Sequence, residues 1–112
     1  MTNLYYWHII PTMRANKIKH DKITDELGNT IEIKMWSVPP TPDKPDGYKY
    51  SLVYIVNGQR VLGYDNAEGK GHHRHRGKLE EAYKFMGLEK LTSDFIKDIE
   101  NYKRRFYEDK KS

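Results

Sequence analysis

The 112-residue sequence contains no cysteine. This absence excludes a disulfide framework, a thiolate metal site and a cysteine nucleophile, and it fits a reducing compartment. A long apolar run is missing too, because the N-terminal segment MTNLYYWHIIPTMRANK lacks a positively charged start and its apolar stretch breaks at Pro11. We therefore expect neither a signal peptide nor a membrane span, and a cytoplasmic protein without a membrane partner.

The sequence also lacks internal repeats and a strong excess of one charge. Twenty Lys and Arg residues stand against sixteen Asp and Glu residues, which gives a net charge of +4. This mildly basic balance suits a polyanionic partner but excludes a strongly basic nucleic-acid-binding tail. The length predicts one domain over residues 1–112, with one modest core.

The first half of the chain alternates with the period of a β-strand. In NTIEIKMWSV, Ile31, Ile33 and Met35 fall on one face. The turn residues at 27–29 predict that residues 14–26 pair with this strand as a hairpin. The proline-rich segment at 39–45 predicts a loop before the next strand.

A second hairpin is indicated by Asn57-Gly58, because this pair tolerates positive φ at both positions of a two-residue turn. The strand before it places tyrosines and aliphatic residues on one face: Tyr48, Tyr50, Leu52, Tyr54 and Val56. Tyrosines on a sheet can stack nucleic-acid bases, but such alternation is first typical of a core, and we predict a core role for most of them.

The C-terminal part changes to a helical period. Phe95, Ile99, Tyr102 and Phe106 form an apolar stripe, and Thr92 or Ser93 is placed to cap the start. We predict an α+β fold: an antiparallel meander of four or five strands over about residues 14–65, a His/Arg loop at 64–77, and an amphipathic helix over about 92–108 that covers the sheet.

The His/Arg loop, DNAEGKGHHRHRG at 65–77, carries the candidate chemistry. In an extended segment His73 and His75 point one way and His72, Arg74 and Arg76 the other. Metal-independent cleavage of RNA needs a base, an acid and a cation for the phosphate, and His, His and Arg supply these near neutral pH. The sequence therefore predicts a ribonuclease-type site that needs no cofactor.

The His/Arg loop is also compatible with three different roles. His73, His75 and Asp65 could hold a divalent metal as two imidazoles and a carboxylate, although the spacing matches no standard zinc pattern. A Gly-rich charged loop is commonly solvated surface, and Asp65-Asn66 is typical of a turn. A non-catalytic module that binds RNA or a protein through the basic loop is the third alternative.

Four motifs in residues 61–100 resemble the TumE-type toxins of prokaryotic toxin–antitoxin pairs. They are Tyr64-Asp65-Asn66-Ala67, His72-His73-Arg74-His75, Tyr83-Lys84-Phe85, and Asp94-Phe95 with Asp98-Ile99. The resemblance implies a growth-inhibiting toxin restrained by an antitoxin with a helix-turn-helix DNA-binding domain. The family motif has an arginine where this chain has Gly63, and Arg60 is its nearest replacement.

These observations combine into one hypothesis, a toxin that acts on RNA through the His/Arg loop, with a homodimer left open. The predicted catalytic residues are His73 and His75 as base and acid in either order, His72 as a third candidate, and Asp65 as the carboxylate that orients an imidazole. The predicted substrate-binding residues are Arg74 or Arg76 as the phosphate clamp, Lys70, Tyr64 and Asn66.

Overall fold

The computed structural model describes residues 15–67 and 69–111, with the backbone alone for residues 109–111. The N-terminal segment around Pro11, for which we expect neither a signal peptide nor a membrane span, lies outside the described residues, as does the predicted start of the sheet at residue 14. In the part of the chain that is described, no helix combines the length and the apolar character needed to cross a bilayer.

The described residues form one antiparallel sheet with the strands in chain order, followed by a C-terminal helix. The elements are β1 (Asn16–Thr24), β2 (Thr30–Ser37), β3 (Tyr48–Val56), β4 (Gln59–Asp65), β5 (His73–Arg76), β6 (Leu79–Ala82) and α1 (Leu88–Lys111). The predicted α+β meander with a C-terminal helix is confirmed. The described sheet has six strands rather than four or five, because the predicted His/Arg loop continues the sheet as β5 and leads into β6.

Both predicted hairpins are present. Asn57 and Gly58 join β3 to β4 with φ angles of 52° and 76°, the two positive values that this turn requires. The β1–β2 hairpin closes at Asp25, whose Oδ1 accepts the backbone N–H groups of Leu27 and Asn29 at 3.0 and 2.9 Å. The turn chemistry therefore fixes the register within each of these two hairpins.

The core lies between one face of the sheet and α1. Its buried residues come from β2, β3, β4 and α1: Ile31, Ile33, Met35, Tyr50, Leu52, Tyr54, Leu62, Tyr64, Leu91, Phe95 and Ile99. Tyr50 and Tyr54 are therefore core residues, as their alternation indicated. We call this side of the sheet the helix face, and the opposite side the outer face.

The helix begins at Leu88, four residues earlier than the predicted start near residue 92. Gly87 precedes it with φ +102°, and its carbonyl accepts the first helical N–H bond, from Leu91. The predicted cap at Thr92 is wrong, since its hydroxyl donates to the Leu88 carbonyl from inside the helix. Ser93 also lies within the helix. Leu91, in the first turn of the helix, is fully buried in the core.

Asp25 links the first hairpin to the core. Its side chain is 4% exposed and lies 3.5 Å from the Lys103 ammonium, and the Tyr54 hydroxyl donates to it at 2.5 Å. Burial acts to raise the pKa of Asp25, but the hydrogen bonds from Tyr54 and the turn backbone outweigh it and lower the pKa below 3.8. A carboxyl with a lowered pKa stabilises the fold above its unfolded-state pKa and loses that effect as the pH falls.

We expect Asp25→Asn to lower the free energy of unfolding at pH 7 by about 1–3 kcal/mol, because charged hydrogen bonds and an ion pair are lost. The deficit should shrink below about pH 4, where the wild-type carboxyl becomes protonated. Urea unfolding between pH 3 and pH 7 measures this. Asp21→Asn is the control, since Asp21 pairs with Lys19 on the surface and should have little effect. An Asp25→Asn deficit that does not change with pH would contradict the assignment.

Candidate functional site

Strand β5 divides the predicted site residues between the two faces of the sheet. It pairs with β4 so that His75 lies opposite Gly63 and His73 opposite Asp65. Residues opposite each other in neighbouring strands share a face, so His73, His75 and Asp65 lie together on the outer face. Arg74 lies opposite Tyr64, on the helix face.

His75 is the most buried of the three clustered histidines, with 8% of its surface exposed. Its Nε2 lies 2.8 Å from Oδ2 of Asp65, and its Nδ1 lies 3.2 Å from Nη2 of Arg60. A guanidinium can only donate hydrogen bonds, so Nδ1 accepts from Arg60 and Nε2–H donates to Asp65. The surroundings therefore select one neutral tautomer of His75, with its lone pair on Nδ1.

Arg60 reaches His75 because of two local features of β4. A bulge next to Val61 places Arg60 opposite Ile55 and Leu62 opposite Tyr54. Residues three apart in a regular strand lie on opposite faces, but the bulge brings Arg60 and Gly63 to the same outer face. Gly63 then leaves room for the arginine stem. A Cβ at position 63 would lie 3.1 Å from Cδ of Arg60 and 3.1 Å from the Leu52 carbonyl oxygen.

His73 has a different environment on the same face. Its Nε2 contacts the carbonyl oxygen of Lys70, in the exposed turn before β5. Its Nδ1 lies 3.3 Å from Oε2 of Glu80, which is ion-pair distance without hydrogen-bond geometry. Both neighbours carry acceptor oxygens, so the ring of His73 lies between a carbonyl and a carboxylate.

His72 lies on the helix face, against aromatic rings. It stacks on Phe85 with the ring planes 3° apart, and its Nδ1 lies 2.8 Å from the Tyr50 hydroxyl. Burial raises the pKa of Tyr50 above its usual value, so this hydroxyl keeps its proton beside the ring. The Nε2–H of His72 donates to Asp46 at 2.9 Å, which ties the β2–β3 loop to the start of β5.

Asn66 and Tyr64 connect the site to the rest of the sheet. Asn66 is buried, its Oδ1 accepts the Tyr50 backbone N–H at 3.0 Å, and its amide donates to the Tyr48 carbonyl at 2.8 Å. Tyr64 is also buried, and its hydroxyl donates to Asp98 of α1 at 2.7 Å. These two predicted substrate-binding side chains make their contacts inside the protein.

Arg74 joins Tyr64 at the same carboxylate. Its Nη2 and Nε lie 2.5 and 3.1 Å from the two oxygens of Asp98, a bidentate pair whose acid is 7% exposed. Burial acts to lower the pKa of Arg74, but the bonds and charge of Asp98 outweigh it and raise the pKa above its usual value. Arg76, more exposed, pairs with Glu81 of β6 at 2.7 Å.

The structure therefore brings together Asp65, His73 and His75, and it adds Arg60 and Glu80 to them. His72, Arg74 and Arg76 lie on the other side of the sheet, as the alternation of an extended segment predicts, so they do not share a face with the histidine pair. Sequence reasoning named Arg60 only as a replacement for a motif arginine. It missed the contacts of Asp46, Glu80 and Asp98, which come from separate segments.

Among the side chains that are described, those of residues 15–67 and 69–108, no group of three or more His, Asp or Glu is arranged to hold a metal ion. The pairs that do form on the outer face each contain one imidazole and one carboxylate.

The fold and the site define a small α+β protein with a histidine–carboxylate centre on an open sheet face. A family model described as Toxin TumE matches residues 11–103. The match covers most of the chain and extends upstream of the four motifs, so the chain belongs to the TumE toxin family, as the motif resemblance indicated. It is therefore a toxin component of a toxin–antitoxin system, which implies an antitoxin partner. No curated protein and no solved structure shows a significant match.

We expect Asp98→Asn to destabilise the fold by about 2 kcal/mol or more, because Arg74 is left as a poorly compensated charge on the helix face. Tyr64→Phe removes one hydrogen bond and leaves the ion pair, so its cost should be about 1 kcal/mol. Glu100→Gln, an exposed position of the same helix, is the control. Thermal unfolding of the three variants gives the order, and equal effects of Asp98→Asn and Glu100→Gln would show that the network contributes little.

Proposed function

We propose that this toxin cleaves RNA at the outer face without a metal ion, with His75 as the general base. The observation that carries the proposal is the chain of contacts from Asp65 through His75 to Arg60. It combines an oriented imidazole, a carboxylate that fixes its tautomer and a cation at the nitrogen that faces the substrate. We further propose that the reaction takes place in the cytoplasm.

The base is Nδ1 of His75. Asp65 holds the Nε2–H, which leaves the Nδ1 lone pair as the proton acceptor. In the free protein, Nη2 of Arg60 donates a hydrogen bond to this lone pair, 3.2 Å from Nδ1, and the Arg60 side chain is exposed. An arriving phosphate competes for the guanidinium, because charge-assisted bonds to an anion are stronger than a bond to a neutral ring. Substrate binding then frees the base.

The cleavage step balances with the groups on this face. Nδ1 of His75 takes the 2′-hydroxyl proton, the 2′-oxygen forms a bond to phosphorus, and the bond from phosphorus to the 5′-oxygen breaks. His73, whose ring lies between acceptor oxygens on the same face, supplies the proton to that leaving oxygen. Arg60 stabilises the charge on the phosphate. The products are a 2′,3′-cyclic phosphate and a 5′-hydroxyl.

The neighbouring strands offer a path for the RNA strand. Lys34, Ser51 and Asp65 lie in register across β2, β3 and β4 on the outer face. A groove of about 290 Å³ next to them is lined by Lys34, Trp36, Lys49, Tyr50 and Ser51. A tryptophan beside lysines is the combination that binds single strands by stacking and phosphate contacts. The path favours single-stranded RNA.

The antitoxin partner is proposed to carry a helix-turn-helix DNA-binding domain, as the family resemblance implies. Covering the outer face would block both His75 and the RNA path, so one contact surface is sufficient for inhibition. Co-purification of the toxin with the product of the adjacent gene, and competition between that product and RNA, test this arrangement.

A module that binds RNA without cleaving it is the second candidate. It is favoured by the contacts of His75, whose two ring nitrogens both have partners in the free protein. The two functions differ in their response to mutation, because binding alone survives the loss of one imidazole and weakens mainly with salt.

We expect His75→Ala to lower the cleavage rate of a mixed-sequence single-stranded RNA by about 100-fold or more, because the general base is lost. His20→Ala is a matched control, since His20 forms an exposed imidazole–carboxylate pair with Glu32 at 3.1 Å on the same face. Gel analysis of the RNA and growth after induced expression are the readouts, with folding checked by circular dichroism.

The outcomes of this experiment separate the candidates. A rate that follows a bell-shaped pH profile and persists in EDTA supports a metal-independent base and acid. Loss on chelation with recovery by one cation would favour metal chemistry. Unchanged cleavage and toxicity in a folded His75→Ala protein would refute the role of His75, and RNA binding without cleavage in the wild type would favour the module.

We expect Arg60→Ala to lower the same rate by about 100-fold, since one stabilising donor is removed. Gly63→Ala should lower it by about tenfold, because its Cβ displaces the arginine stem that passes over this position. Gln59→Ala, an exposed neighbour in β4, is the control. If Gly63→Ala were inactive while Arg60→Ala kept full activity, the glycine would act through the fold instead of through Arg60.

A further inference from the structure

A pocket of about 390 Å³ lies on the helix face, between the β4–β5 edge and the C-terminal half of α1. We call it the arginine pocket, and its principal residues are Leu62 of β4, Arg76 of β5, and Asn101, Tyr102 and Arg105 of α1. Asn101 and Arg105 are one helical turn apart and therefore share a side of α1. The sheet separates this pocket from His75, and the two sites share no residue.

The pocket has an excess of positive charge. Arg74 also lines the pocket but forms an ion pair with Asp98 at 2.5 Å, and Arg76 forms an ion pair with Glu81 at 2.7 Å. Arg105 is exposed, and none of the carboxylates that line the pocket in the described part of the chain pairs with it. A guanidinium from β5 and another from α1 thus face the same volume, with the Asn101 amide beside them.

The rest of the lining is apolar or aromatic. Val61 and Leu62 form one wall through the bulge of β4, and the Tyr102 ring, half-buried against Tyr54, forms another. The volume lies near the lower end of the range for small-molecule sites, which is about 300–1,000 Å³. Cations at the rim and an apolar interior fit a ring that carries an anionic group.

We propose that the arginine pocket binds a nucleoside phosphate, with the phosphate between Arg76 and Arg105 and the base against Leu62 and Tyr102. Two guanidinium groups match a dianionic phosphate, because each presents parallel N–H donors to its oxygens. Asn101 donates an amide N–H to the phosphate or to the base. The site extends beyond the cleavage proposed above and does not depend on it, since its ligand contacts none of Asp65, His73 or His75.

The ligand can come from two sources, a free nucleotide or the 5′-phosphorylated end of an RNA. Both present the same group, a base and a terminal phosphate separated by one ribose. Calorimetric titration of the full chain with AMP, and then with a short RNA with and without a 5′-phosphate, distinguishes them. Tighter binding of the 5′-phosphorylated RNA than of AMP assigns the RNA end, and equal or weaker binding assigns the free nucleotide.

Arg105→Gln tests the pocket, and Arg104→Gln is its matched control, because Arg104 is the adjacent exposed cation on α1 and does not line the pocket. We expect one AMP per chain, weakened by about tenfold or more in Arg105→Gln and almost unchanged in Arg104→Gln. Adenosine and inorganic phosphate should each bind more weakly than AMP. Both positions are exposed, so both variants should keep the wild-type circular dichroism spectrum.

Three results would overturn the proposal. AMP could fail to bind at millimolar concentration, or Arg104→Gln and Arg105→Gln could weaken it equally, which would indicate unspecific attraction by the helix. An acidic peptide that displaces AMP and binds more tightly through Arg105 would assign the pocket to a protein partner instead. The titrations measure binding alone, so an absence of ribonuclease activity would leave their result intact.

Discussion

The carboxylate of Asp98 determines which side chains of β4 and β5 point towards α1. It accepts the Tyr64 hydroxyl from β4 and both donors of the Arg74 fork from β5, so two strands are fastened to α1 at one point. An extended strand alternates its side chains. Once Arg74 is held at the helix, His73 and His75 must lie on the other side. A charge inside the core region thus positions imidazoles outside it.

This division separates two kinds of chemistry. The outer face holds imidazoles in contact with carboxylates and one exposed guanidinium, a set suited to moving protons beside an anion. The helix face holds arginines beside apolar walls, a set suited to binding without reaction. A segment that forms one cluster in the sequence therefore contributes residues to both proposed sites, on opposite faces of the sheet.

Local signals were sufficient to predict much of the fold. The Asn57-Gly58 turn, the alternation around Ile33 and the helical stripe through Phe95 each act over a few residues, and the turn, the strand and the helix that they predict are all present. Strands β5 and β6 escaped prediction because HRHR and LEEA contain almost no apolar alternation. Strand β5 is held by pairing to β4 and by the contact of Arg74 with Asp98, and β6 is held by pairing to β5, which no window of sequence reveals. The start of α1 was missed because Gly87 precedes it with no side chain to signal a cap.

The candidate site, like the fold, could be predicted from the sequence only in part. His73, His75 and Asp65 could be named from residue type and spacing, but the pairing of Asp65 with His75 depends on the register between β4 and β5. The contact of Arg60 depends on one additional residue in β4, and Asp46 and Glu80 arrive from separate segments.

That additional residue gives β4 a property of its own. Arg60 and Asp65 are five positions apart, so regular alternation would place their side chains on opposite faces of the sheet. The bulge at Val61 takes up one position and returns the guanidinium to the face of His75. A substitution that removed the bulge at constant chain length would therefore turn Arg60 towards α1, although no residue of the site itself had changed.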